Sequence, residues 1–503
     1  MLPQAILERL RPHQAAPANW LHGNFLAGGP TQVDLSDTGT GKTYVAAAVL
    51  SALQWPTLVV APKIARTTWE RAAAHFGDSF SVIGYEMLRT GRTPFGVWDN
   101  PPPAGMKLER HWKCLSCQRE VDFDDFKPCY CHPQGIHCIV EKKTDWRYGK
   151  FNFAPEIRAV VFDEVHRCGA LDSLNADLLI AAKRQGLRIL GLSATAACDP
   201  TRMRALGYAV GLHTLTGRGG LSFGDWAARH GCRYMPGRGL KWPISAARQL
   251  ATMAQIRDSI IPLRGVRVRT EDIPGFPERD ITAELYDLEE SGQIDRLYGE
   301  MADPLSALAE RQAKDVNPDC ALTRILRGRQ KIELLKVPIA VELAQDYLDK
   351  GYSVALFVNF RATLGELCER LKTQCFIDGS PDGVRYRDQF IDEFQANQQR
   401  AIVVNNEAGG VAVSLHDLHG GFPRVGLVFP CFSAVTMRQV FGRLPRDGGQ
   451  SKCHYRVLFA AKTVEVPMHR ALSAKLNNLD ALNDADLMPA NLQLTRTDWT
   501  GLF

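Results

Sequence analysis

The glycine-rich stretch Ser36–Thr43 is the part of the sequence best suited to bind phosphate. It follows an apolar run at 31–35 that predicts a strand and precedes an alanine-rich run at 44–50 that predicts a helix. In that context glycines let main-chain N–H groups approach phosphate oxygens, while Lys42 reaches the terminal phosphates and Thr43 binds Mg²⁺. The stretch therefore predicts a nucleotide site, although its first residue is serine where such loops begin with glycine; a loop that only caps a helix is the alternative. The residues expected at the nucleotide are Gly39, Thr40, Gly41, Lys42 and Thr43.

A second chemically active group, Asp163-Glu164-Val165-His166, directly follows the apolar run 159–162. An aspartate at the tip of a strand can hold Mg²⁺ through water, and a neighbouring carboxylate can orient the water that attacks a terminal phosphate. An acidic pair that merely ends a strand at the surface is the alternative. Because the carboxyl ends of parallel strands share one edge of a sheet, we expect Asp163 and Glu164 beside the phosphate loop.

These residues need a sheet to bring them together, and both halves of the chain carry its pattern. Short β-branched runs alternate with helical stretches, which indicates parallel sheets covered by helices. We therefore predict an α/β protein with two parallel-sheet domains in tandem. The predicted strands include 57–61, 159–162 and 188–192 in the first half and 354–358, 401–404 and 424–429 in the second, with helices at 64–76, 363–371 and 387–395.

The predicted domain limits lie where this alternation breaks down. The stretch 215–275 carries little regular signal, and a helical segment at 285–348 leads into the second sheet. No apolar run approaches the ~20 residues that a membrane span needs, so we expect no membrane partner and a soluble intracellular protein, in the cytoplasm or at the nucleoid. The predicted divisions are 1–215 for the first domain with an insertion at 105–150, 216–275 for a linker or accessory segment, 276–485 for the second domain with its N-terminal helical segment, and 486–503 for a tail.

Four short phrases occur in order along the chain, at Leu10–Gln14, Asp163–His166, Ser193–Thr195 and Gln439–Arg446. They read Leu-Arg-Pro-His-Gln, Asp-Glu-Val-His, Ser-Ala-Thr and Gln-Val-Phe-Gly-Arg-Leu-Pro-Arg. Together they resemble the motifs of superfamily-2 helicases and translocases, and the second phrase is DEAH-box-like. The resemblance covers about residues 10–450. Weaker matches to the chromatin-remodelling branch lie between Pro62 and Glu70, at Asp378–Ser380 and at Gly409-Gly410.

The resemblance implies two RecA-like domains that bind and hydrolyse ATP. It makes Lys42, Asp163 and Glu164 catalytic in the first domain, and Arg443 and Arg446 catalytic in the second. The spacing of the two arginines would place both on one face of a helix. Since these groups come from two domains, hydrolysis is expected to need closure of a cleft, which converts turnover into motion. The resemblance further implies that Gln14 and Gln439 contact nucleotide, that Thr43 and Asp163 bind magnesium, and that His166, Ser193 and Thr195 couple hydrolysis to motion. A solvent-facing or helix-capping glutamine is the alternative for Gln14, and a polar strand end is the alternative for Ser193–Thr195.

Five of the 13 cysteines fall in one short segment inside the predicted first domain. Cys114 and Cys117 form one close pair, and Cys129 with His132 forms another, which is the spacing of a tetrahedral structural zinc site. Cys131 is the alternative fourth ligand. Free cysteines packed as small apolar side chains are the alternative to a metal site. The sequence thus predicts a zinc-ribbon insertion that holds Zn²⁺.

The expected partner is DNA in single-stranded, forked or duplex form, with RNA less expected. The net charge of +5 permits nucleic-acid binding, and basic and aromatic residues flank the cysteine segment, where a solvated basic face is the alternative. A second basic stretch, Arg264, Arg267 and Arg269, could follow a phosphate backbone if it is extended. The helicase motifs therefore predict an ATP-dependent DNA helicase or translocase, and the compact chain also resembles phage-encoded replication or recombination helicases. A duplex-remodelling or annealing motor without net unwinding and a nucleotide-regulated scaffold are the alternatives.

Overall fold

The computed structural model describes most of the chain and divides it into two compact units. The first unit comprises Met1–Asp37 and Gly41–Arg269, and the second comprises Thr38–Thr40 and Thr270–Phe503. The residues that the structure describes are 1–100, 110–114, 120–121, 140–144, 149–171, 173–194, 199–217, 219–235, 239–243, 246–310, 318–406 and 413–473. The predicted tail at 486–503 lies outside them.

The first unit is organised around a parallel sheet that has six strands in the described part of the chain. Its central strands are buried along almost their whole length, as the continuous apolar runs of the sequence predict for strands covered on both faces. One strand, Arg188–Leu192, separates the strand before the phosphate loop from the strand before the acidic pair. In spatial order the strands are Gly265–Val266, Thr31–Asp34, Arg188–Leu192, Ala159–Asp163, Thr57–Ala61 and Ser81–Gly84.

Helices connect these strands and bury their apolar side chains. Trp69, Tyr85 and Phe162 are among the largest side chains that this packing excludes from solvent. The predicted helix at 64–76 is observed as a short 3₁₀ turn, Lys63–Ala65, followed by an α-helix. The α-helices of the first unit are Gln4–Leu7, Pro12–Leu26, Lys42–Leu53, Arg66–His75, Tyr85–Leu88, Leu174–Arg184, Arg204–Val210, Phe223–Arg229 and Ala246–Ile260.

The stretch 215–275, which carries little regular signal in the sequence, has regular structure. The stretch contains two helices, the hairpin of Arg233–Met235 with Gly239–Lys241, and the strand Gly265–Val266, which joins the main sheet beside Thr31–Asp34. Apart from the 15-residue helix Ala246–Ile260, its elements are short, and one of its buried side chains, Trp226, packs against the ring of His213 just before the stretch. Neither feature gives the apolar periodicity by which helices and strands are recognised in a sequence.

The predicted insertion begins and ends at a small antiparallel pair of strands in the first unit, Gly96–Trp98 with Phe151–Phe153. Between them, Arg110–Cys114 pairs antiparallel with both Glu120–Val121 and Val140–Thr144. Cys114 is therefore the last residue of the central strand of this small sheet. The other predicted zinc ligands, Cys117, Cys129, Cys131 and His132, lie outside the described residues.

The second unit is organised around another parallel sheet, again with six strands among the described residues. Its three central strands are apolar and completely buried, so the predicted runs at 354–358, 401–404 and 424–429 are confirmed with small changes of bounds. In spatial order the strands are Arg279–Tyr286, Cys453–Ala460, Arg424–Val428, Ser353–Val358, Ala401–Asn405 and Phe376–Ile377.

The helices of the second unit include three that confirm the predicted helical segment at 285–348. Lys336 ties this helical segment to the rest of the unit, because its ammonium group lies 2.5 Å from a carboxylate oxygen of Glu465 in the last helix and donates to the main-chain oxygen of Leu458 in the sheet at 3.2 Å. The predicted helix at 387–395 has those bounds in the structure. The described α-helices are Ser291–Glu310, Pro318–Leu335, Val337–Asp349, Arg361–Arg370, Pro381–Arg385, Arg387–Gln395, Ala434–Val440 and Glu465–Ser473.

The two sheets with their covering helices confirm the predicted fold class, two parallel-sheet α/β domains in tandem. Among the described residues, none of the helices combines the length and apolar composition that crossing a membrane requires.

Candidate active site

The phosphate loop leaves the strand Thr31–Asp34 and enters the helix Lys42–Leu53, as predicted. Gly39 and Gly41 have φ values of +95° and +86°, a region that side chains other than glycine rarely adopt. The ammonium group of Lys42 donates hydrogen bonds to the main-chain oxygens of Ser36 at 2.7 Å and Asp37 at 3.0 Å. The loop is thus curled around its own lysine, with the geometry that lets main-chain N–H groups face an anion.

Gln14 lies against this loop in the first unit. It belongs to the first turn of the helix Pro12–Leu26, where its Oε1 accepts a hydrogen bond from the main-chain N–H of Arg11 at 3.1 Å. The side chain is buried, and a Cβ placed on Gly41 would collide with its amide nitrogen. Its hydrogen bond from Arg11 caps the helix, which is the alternative role, and its contact with adenine stays a prediction.

Asp34, which the sequence reasoning missed, organises the start of the phosphate loop. It ends the strand before the loop, is buried, and accepts a hydrogen bond from the main-chain N–H of Ser36 at 2.9 Å. Burial raises the pKa of its carboxyl group, whereas the positive charge of Lys42 opposes that rise. The signal that could have found it is its position at the carboxyl end of a strand, immediately before a phosphate loop.

The residues that follow the strand Gly265–Val266 contact the start of this loop. The main-chain N–H of Asp37 donates to the oxygen of Val268 at 2.9 Å, and the N–H of Val268 donates to Oγ of Ser36 at 2.9 Å. Arg267 also lies 3.5 Å from a carboxylate oxygen of Asp37. One arginine of the predicted phosphate-tracking stretch is therefore engaged with the loop in this structure.

The acidic pair stands at the end of the strand Ala159–Asp163, and two aromatic side chains contact it. The indole N–H of Trp69 donates to Oδ2 of Asp163 at 2.9 Å, and the hydroxyl of Tyr85 donates to its main-chain oxygen at 2.8 Å. Burial raises the pKa of Asp163 to about 6, and the charge of Glu164 adds to the rise. The hydrogen bond from Trp69 and the charge of Lys42 oppose it, so the loop lysine and the acidic pair share one electrostatic environment.

His166 joins the acidic pair to the neighbouring strand. Its Nδ1 lies 3.0 Å from Oγ of Ser193 and 3.2 Å from a carboxylate oxygen of Glu164. The main-chain N–H of Ser193 in turn donates to the main-chain oxygen of Asp34 at 3.1 Å. A continuous chain of hydrogen bonds and polar contacts therefore links the phosphate-loop strand to Glu164 through Ser193 and His166. The third predicted coupling residue, Thr195, lies outside the described residues.

The donor set of the first unit fits Mg²⁺. Thr43 lies in the first turn of the helix after the phosphate loop, and Asp163 ends a strand of the same sheet. In nucleotide sites Mg²⁺ takes one or two such oxygens together with phosphate oxygens and water, rather than a cage of carboxylates. Across the part of the chain that the structure describes, no three His, Cys, Asp or Glu side chains gather as a metal cage would require.

The predicted arginines belong to the second unit, and the expectation that one helix carries both is wrong. The helix Ala434–Val440 includes Gln439 and ends before Arg443, because Gly442 and Pro445 interrupt the helical pattern. The two guanidinium groups nevertheless meet, since Arg443 at 3.4 Å and Arg446 at 3.2 Å donate to the main-chain oxygen of Val413.

A tyrosine from the sheet fixes the turn that carries these arginines. The hydroxyl of Tyr455 donates to the main-chain oxygen of Val440 at 2.9 Å and accepts from the N–H of Leu444 at 2.9 Å. Tyr455 is fully buried in the strand Cys453–Ala460. Its position explains how two arginines beyond the end of a helix keep a defined orientation.

A viral protein resembles almost the whole chain in sequence. It is a putative ATP-dependent RNA helicase of Acanthamoeba polyphaga mimivirus, 29% identical over 469 residues, which are 90% of this chain and 80% of the relative. This chain carries a superfamily-2 helicase core. It is an ATP hydrolase of the helicase type, with Lys42, the acidic pair and Ser193 in the first unit and the paired arginines in the second. No protein-family model matches the sequence.

Two solved structures match nearly the whole of this chain at low sequence identity. Dbp5 of S. cerevisiae, bound to RNA and ADP BeF3, is 11% identical with a TM-score of 0.44 and covers 96% of this chain and 93% of its own. The DUF1998 helicase MrfA, bound to DNA, is 12% identical with a TM-score of 0.47 and covers 95% of this chain and 50% of its own.

The sequence located the polar groups of the helicase core better than it located what surrounds them. Lys42, Asp163, Glu164, His166 and Ser193 come together in the first unit. Trp69 stood within a weak motif match but was given no role. Tyr85 carried no signal beyond its position after a strand, and Asp34 was read only as part of one.

Proposed function

We propose that this helicase core couples ATP hydrolysis to movement along DNA and to its unwinding. The observation that carries the proposal is the polar chain from the phosphate loop through Ser193 and His166 to Glu164. Such a chain gives the terminal phosphate a route to alter the acidic pair and the neighbouring strand together. A nucleotide site without mechanical output would have no need of it.

Within this proposal each residue of the site has a chemical role. Lys42 binds the terminal phosphates, Thr43 and Asp163 hold Mg²⁺, and Glu164 orients the attacking water. Magnesium, when bound, supplies positive charge that offsets the charge of the phosphates. Gln14 selects adenine, because its amide can donate and accept at once. Nucleotide contact is also assigned to Gly39, Thr40, Gly41 and Gln439.

Arg443 and Arg446 stabilise the charge that develops on the transferred phosphoryl group. Both belong to the second unit, whereas Lys42 and Glu164 belong to the first. Turnover that needs residues from both units would make hydrolysis depend on their relative motion, which is what translocation requires. His166, Ser193 and Thr195 would report the state of the phosphate to that motion.

DNA is proposed as the polymer because the motif Asp163–His166 is not Asp-Glu-Ala-Asp and the chromatin-type matches are typical of motors that act on DNA. RNA is the second candidate, since the viral relative is named an RNA helicase. A motor that remodels or anneals duplex DNA without unwinding it is the third. Binding by the basic stretch around the predicted insertion would suit any of these polymers.

The zinc-ribbon insertion is proposed as a structural element of this motor. Cys114, Cys117 and Cys129 with His132 would provide a closed tetrahedral site, and Cys131 is the alternative to the histidine. The antiparallel strands Arg110–Cys114 and Val140–Thr144 support the proposal, because Cys114 ends a strand in a small sheet of the ribbon type.

One experiment separates the candidate polymers. ATP hydrolysis is measured without polymer and with single-stranded DNA, duplex DNA and RNA of equal length, and strand displacement is then measured on forked substrates. Stimulation by DNA with displacement of forks supports the proposal, and greater stimulation by RNA favours the second candidate. Stimulation by duplex DNA without displacement favours the remodelling motor. A wild-type protein that no polymer stimulates contradicts all three, and Glu164→Gln controls for contaminating ATPase.

A further inference from the structure

Two buried aromatic residues, Trp69 and Tyr85, hold the acidic pair from two different helices. Trp69 lies in the helix Arg66–His75 and Tyr85 begins the helix Tyr85–Leu88. Both side chains are completely excluded from solvent, and each directs its one polar hydrogen at Asp163. A buried tryptophan or tyrosine must place its polar group on a partner, but the partner need not be a catalytic residue. That both partners belong to Asp163 calls for a functional explanation.

Trp69 acts on the carboxylate. Its indole N–H can only donate, and it donates to Oδ2 of Asp163 at 2.9 Å. Phe80 packs edge-on against the Trp69 ring with a centroid separation of 6.4 Å, which restricts movement of the ring. A fixed donor on Oδ2 limits rotation of the carboxylate, so the orientation of the other oxygen, Oδ1, is fixed before a ligand binds.

Tyr85 acts on the main chain. Its hydroxyl donates to the main-chain oxygen of Asp163 at 2.8 Å, and this oxygen belongs to the peptide group that joins Asp163 to Glu164. Glu164 has φ 54° and ψ 52°, a left-handed conformation that residues other than glycine seldom adopt. Such conformations persist where surrounding contacts over-determine them, and they cluster at functional sites. The hydroxyl of Tyr85 is one of the contacts that fix this turn.

We propose that Trp69 and Tyr85 are positioning residues for ATP hydrolysis: Trp69 orients the Asp163 carboxylate for the metal, and Tyr85 fixes the turn that presents Glu164. The proposal rests on the roles of Asp163 and Glu164 proposed above. It assigns separate effects to the two aromatics, because one contacts the metal-binding side chain and the other contacts the peptide that leads to the water-orienting residue.

The test uses three single substitutions in the full chain. Trp69→Phe removes the N–H and keeps an aromatic ring, and Tyr85→Phe removes only the hydroxyl. Trp98→Phe is the matched control, because Trp98 is also buried and its indole N–H donates at 2.8 Å to the main-chain oxygen of Arg89 rather than to the acidic pair. The measurements are kcat, the half-saturating Mg²⁺ concentration, and the affinity for a fluorescent ATP analogue with and without Mg²⁺.

Loss of a group that orients a metal-binding side chain typically costs 10–100-fold in metal affinity or activity. We therefore expect Trp69→Phe to raise the half-saturating Mg²⁺ concentration about 10-fold and to reduce the gain in nucleotide affinity that Mg²⁺ produces. Tyr85→Phe is expected to lower kcat about 10-fold while Mg²⁺ dependence and nucleotide affinity stay within about 2-fold of wild type. Trp98→Phe should match wild type in all three measurements.

The inference is overturned if Trp69→Phe and Tyr85→Phe both behave like Trp98→Phe. It is also overturned if both variants have lower thermal stability and their weaker nucleotide binding is fully accounted for by that loss of stability. Should Trp69→Phe fail to fold, Tyr85→Phe decides the outcome, because deleting one oxygen leaves the packing of the ring intact. A wild-type protein that hydrolyses no ATP would instead contradict the proposed function, and binding of the analogue with Mg²⁺ would still compare the variants.

Discussion

The indole nitrogen of Trp69 lies 2.9 Å from a carboxylate oxygen of Asp163, although 94 positions separate the two residues in the sequence. The contact forms because the strand Thr57–Ala61, which precedes the helix of Trp69, is hydrogen-bonded to the strand Ala159–Asp163, which ends at Asp163. Polar groups that follow neighbouring parallel strands meet at one edge, which is where ligands bind in such sheets. Trp69 is therefore part of the structure that surrounds and holds Asp163.

Substitution of Lys42 and of Glu164 should separate nucleotide binding from hydrolysis. Lys42→Ala removes the charge that binds the terminal phosphates, so we expect weaker binding of ATP and loss of turnover by about 100-fold or more. Glu164→Gln keeps the shape of the side chain and removes its charge, so turnover should fall similarly while ATP binding is retained. Equilibrium binding of a labelled analogue and steady-state hydrolysis measure the two effects, and equal loss of binding in both variants would contradict the assignment.

Gly41→Ala should weaken nucleotide binding through the main chain. Gly41 has φ +86°, where a residue with a Cβ is disfavoured by about 1–2 kcal/mol, and the added carbon would also collide with Gln14. We expect affinity for ATP to fall about 10-fold or more. Gly292→Ala is the control, because nothing lies within 4 Å of a Cβ at that position. Titration of a fluorescent nucleotide compares the two, and equal affinities would show that the loop tolerates the change.

Arg446→Ala should slow hydrolysis with little effect on nucleotide affinity. The guanidinium group shares the main-chain oxygen of Val413 with Arg443 and is proposed to stabilise charge that appears only in the transition state. We expect kcat to fall about 1,000-fold, within the range known for arginines that act on a transferred phosphoryl group. Arg370→Ala removes an exposed arginine paired with Glu366 and should leave kcat unchanged. A comparable fall in affinity and kcat would assign Arg446 to binding instead.

The insertion should contain about one zinc ion per chain. Metal analysis of the intact protein tests this directly, and absence of zinc would contradict the site. Cys117→Ser should lose the metal, whereas Cys368→Ser, which alters a cysteine of the second unit, should retain it. Separate loss of metal in His132→Ala or Cys131→Ser identifies the fourth ligand.

The buried ion pair of the second unit should contribute to its stability. Glu465 accepts hydrogen bonds from Lys336, from the hydroxyl of Tyr298 at 3.0 Å and from the main-chain N–H of Ala460 at 2.8 Å. Glu465→Gln leaves a buried charge without its counter-ion, which typically costs about 3–5 kcal/mol. Faster hydrogen–deuterium exchange in peptides of the second unit is the expected result.

An exposed ion pair of the same unit provides the control. Lys350 and Asp346 lie 2.6 Å apart with side chains 59% and 48% exposed, so water screens their attraction. Asp346→Asn is therefore expected to change the free energy of unfolding by less than about 1 kcal/mol. Equal exchange rates in this variant and in Glu465→Gln would show that the buried pair adds no stability.

Local sequence was sufficient for the elements whose residues are buried throughout. The central strands of both sheets were predicted because an uninterrupted apolar run of about five residues is typical of parallel strands covered on both faces. The phosphate loop was equally readable, since Gly39 and Gly41 must adopt φ values that few other residues allow. For these features the physical requirement acts on consecutive residues.

The elements at 215–275 were not recognised in the sequence, and the expectation that one helix carries Arg443 and Arg446 was wrong. In the first case most of the elements other than the helix Ala246–Ile260 are only a few residues long, so a short window gives little periodic signal. In the second case a spacing of three was taken for a helix, whereas Gly442 and Pro445 end the helix and Tyr455 holds the turn from another strand.

The sequence by itself determined which residues could bind phosphate, metal and water, because Lys42, Asp163 and Glu164 stand in motifs whose chemistry depends on neighbours along the chain. Only the tertiary structure decided what holds them. The order of the strands brings Trp69 and Tyr85 to Asp163, and Ser193 between Asp34 and His166. That order is set by packing of whole strands and helices, so no short stretch of sequence contains it.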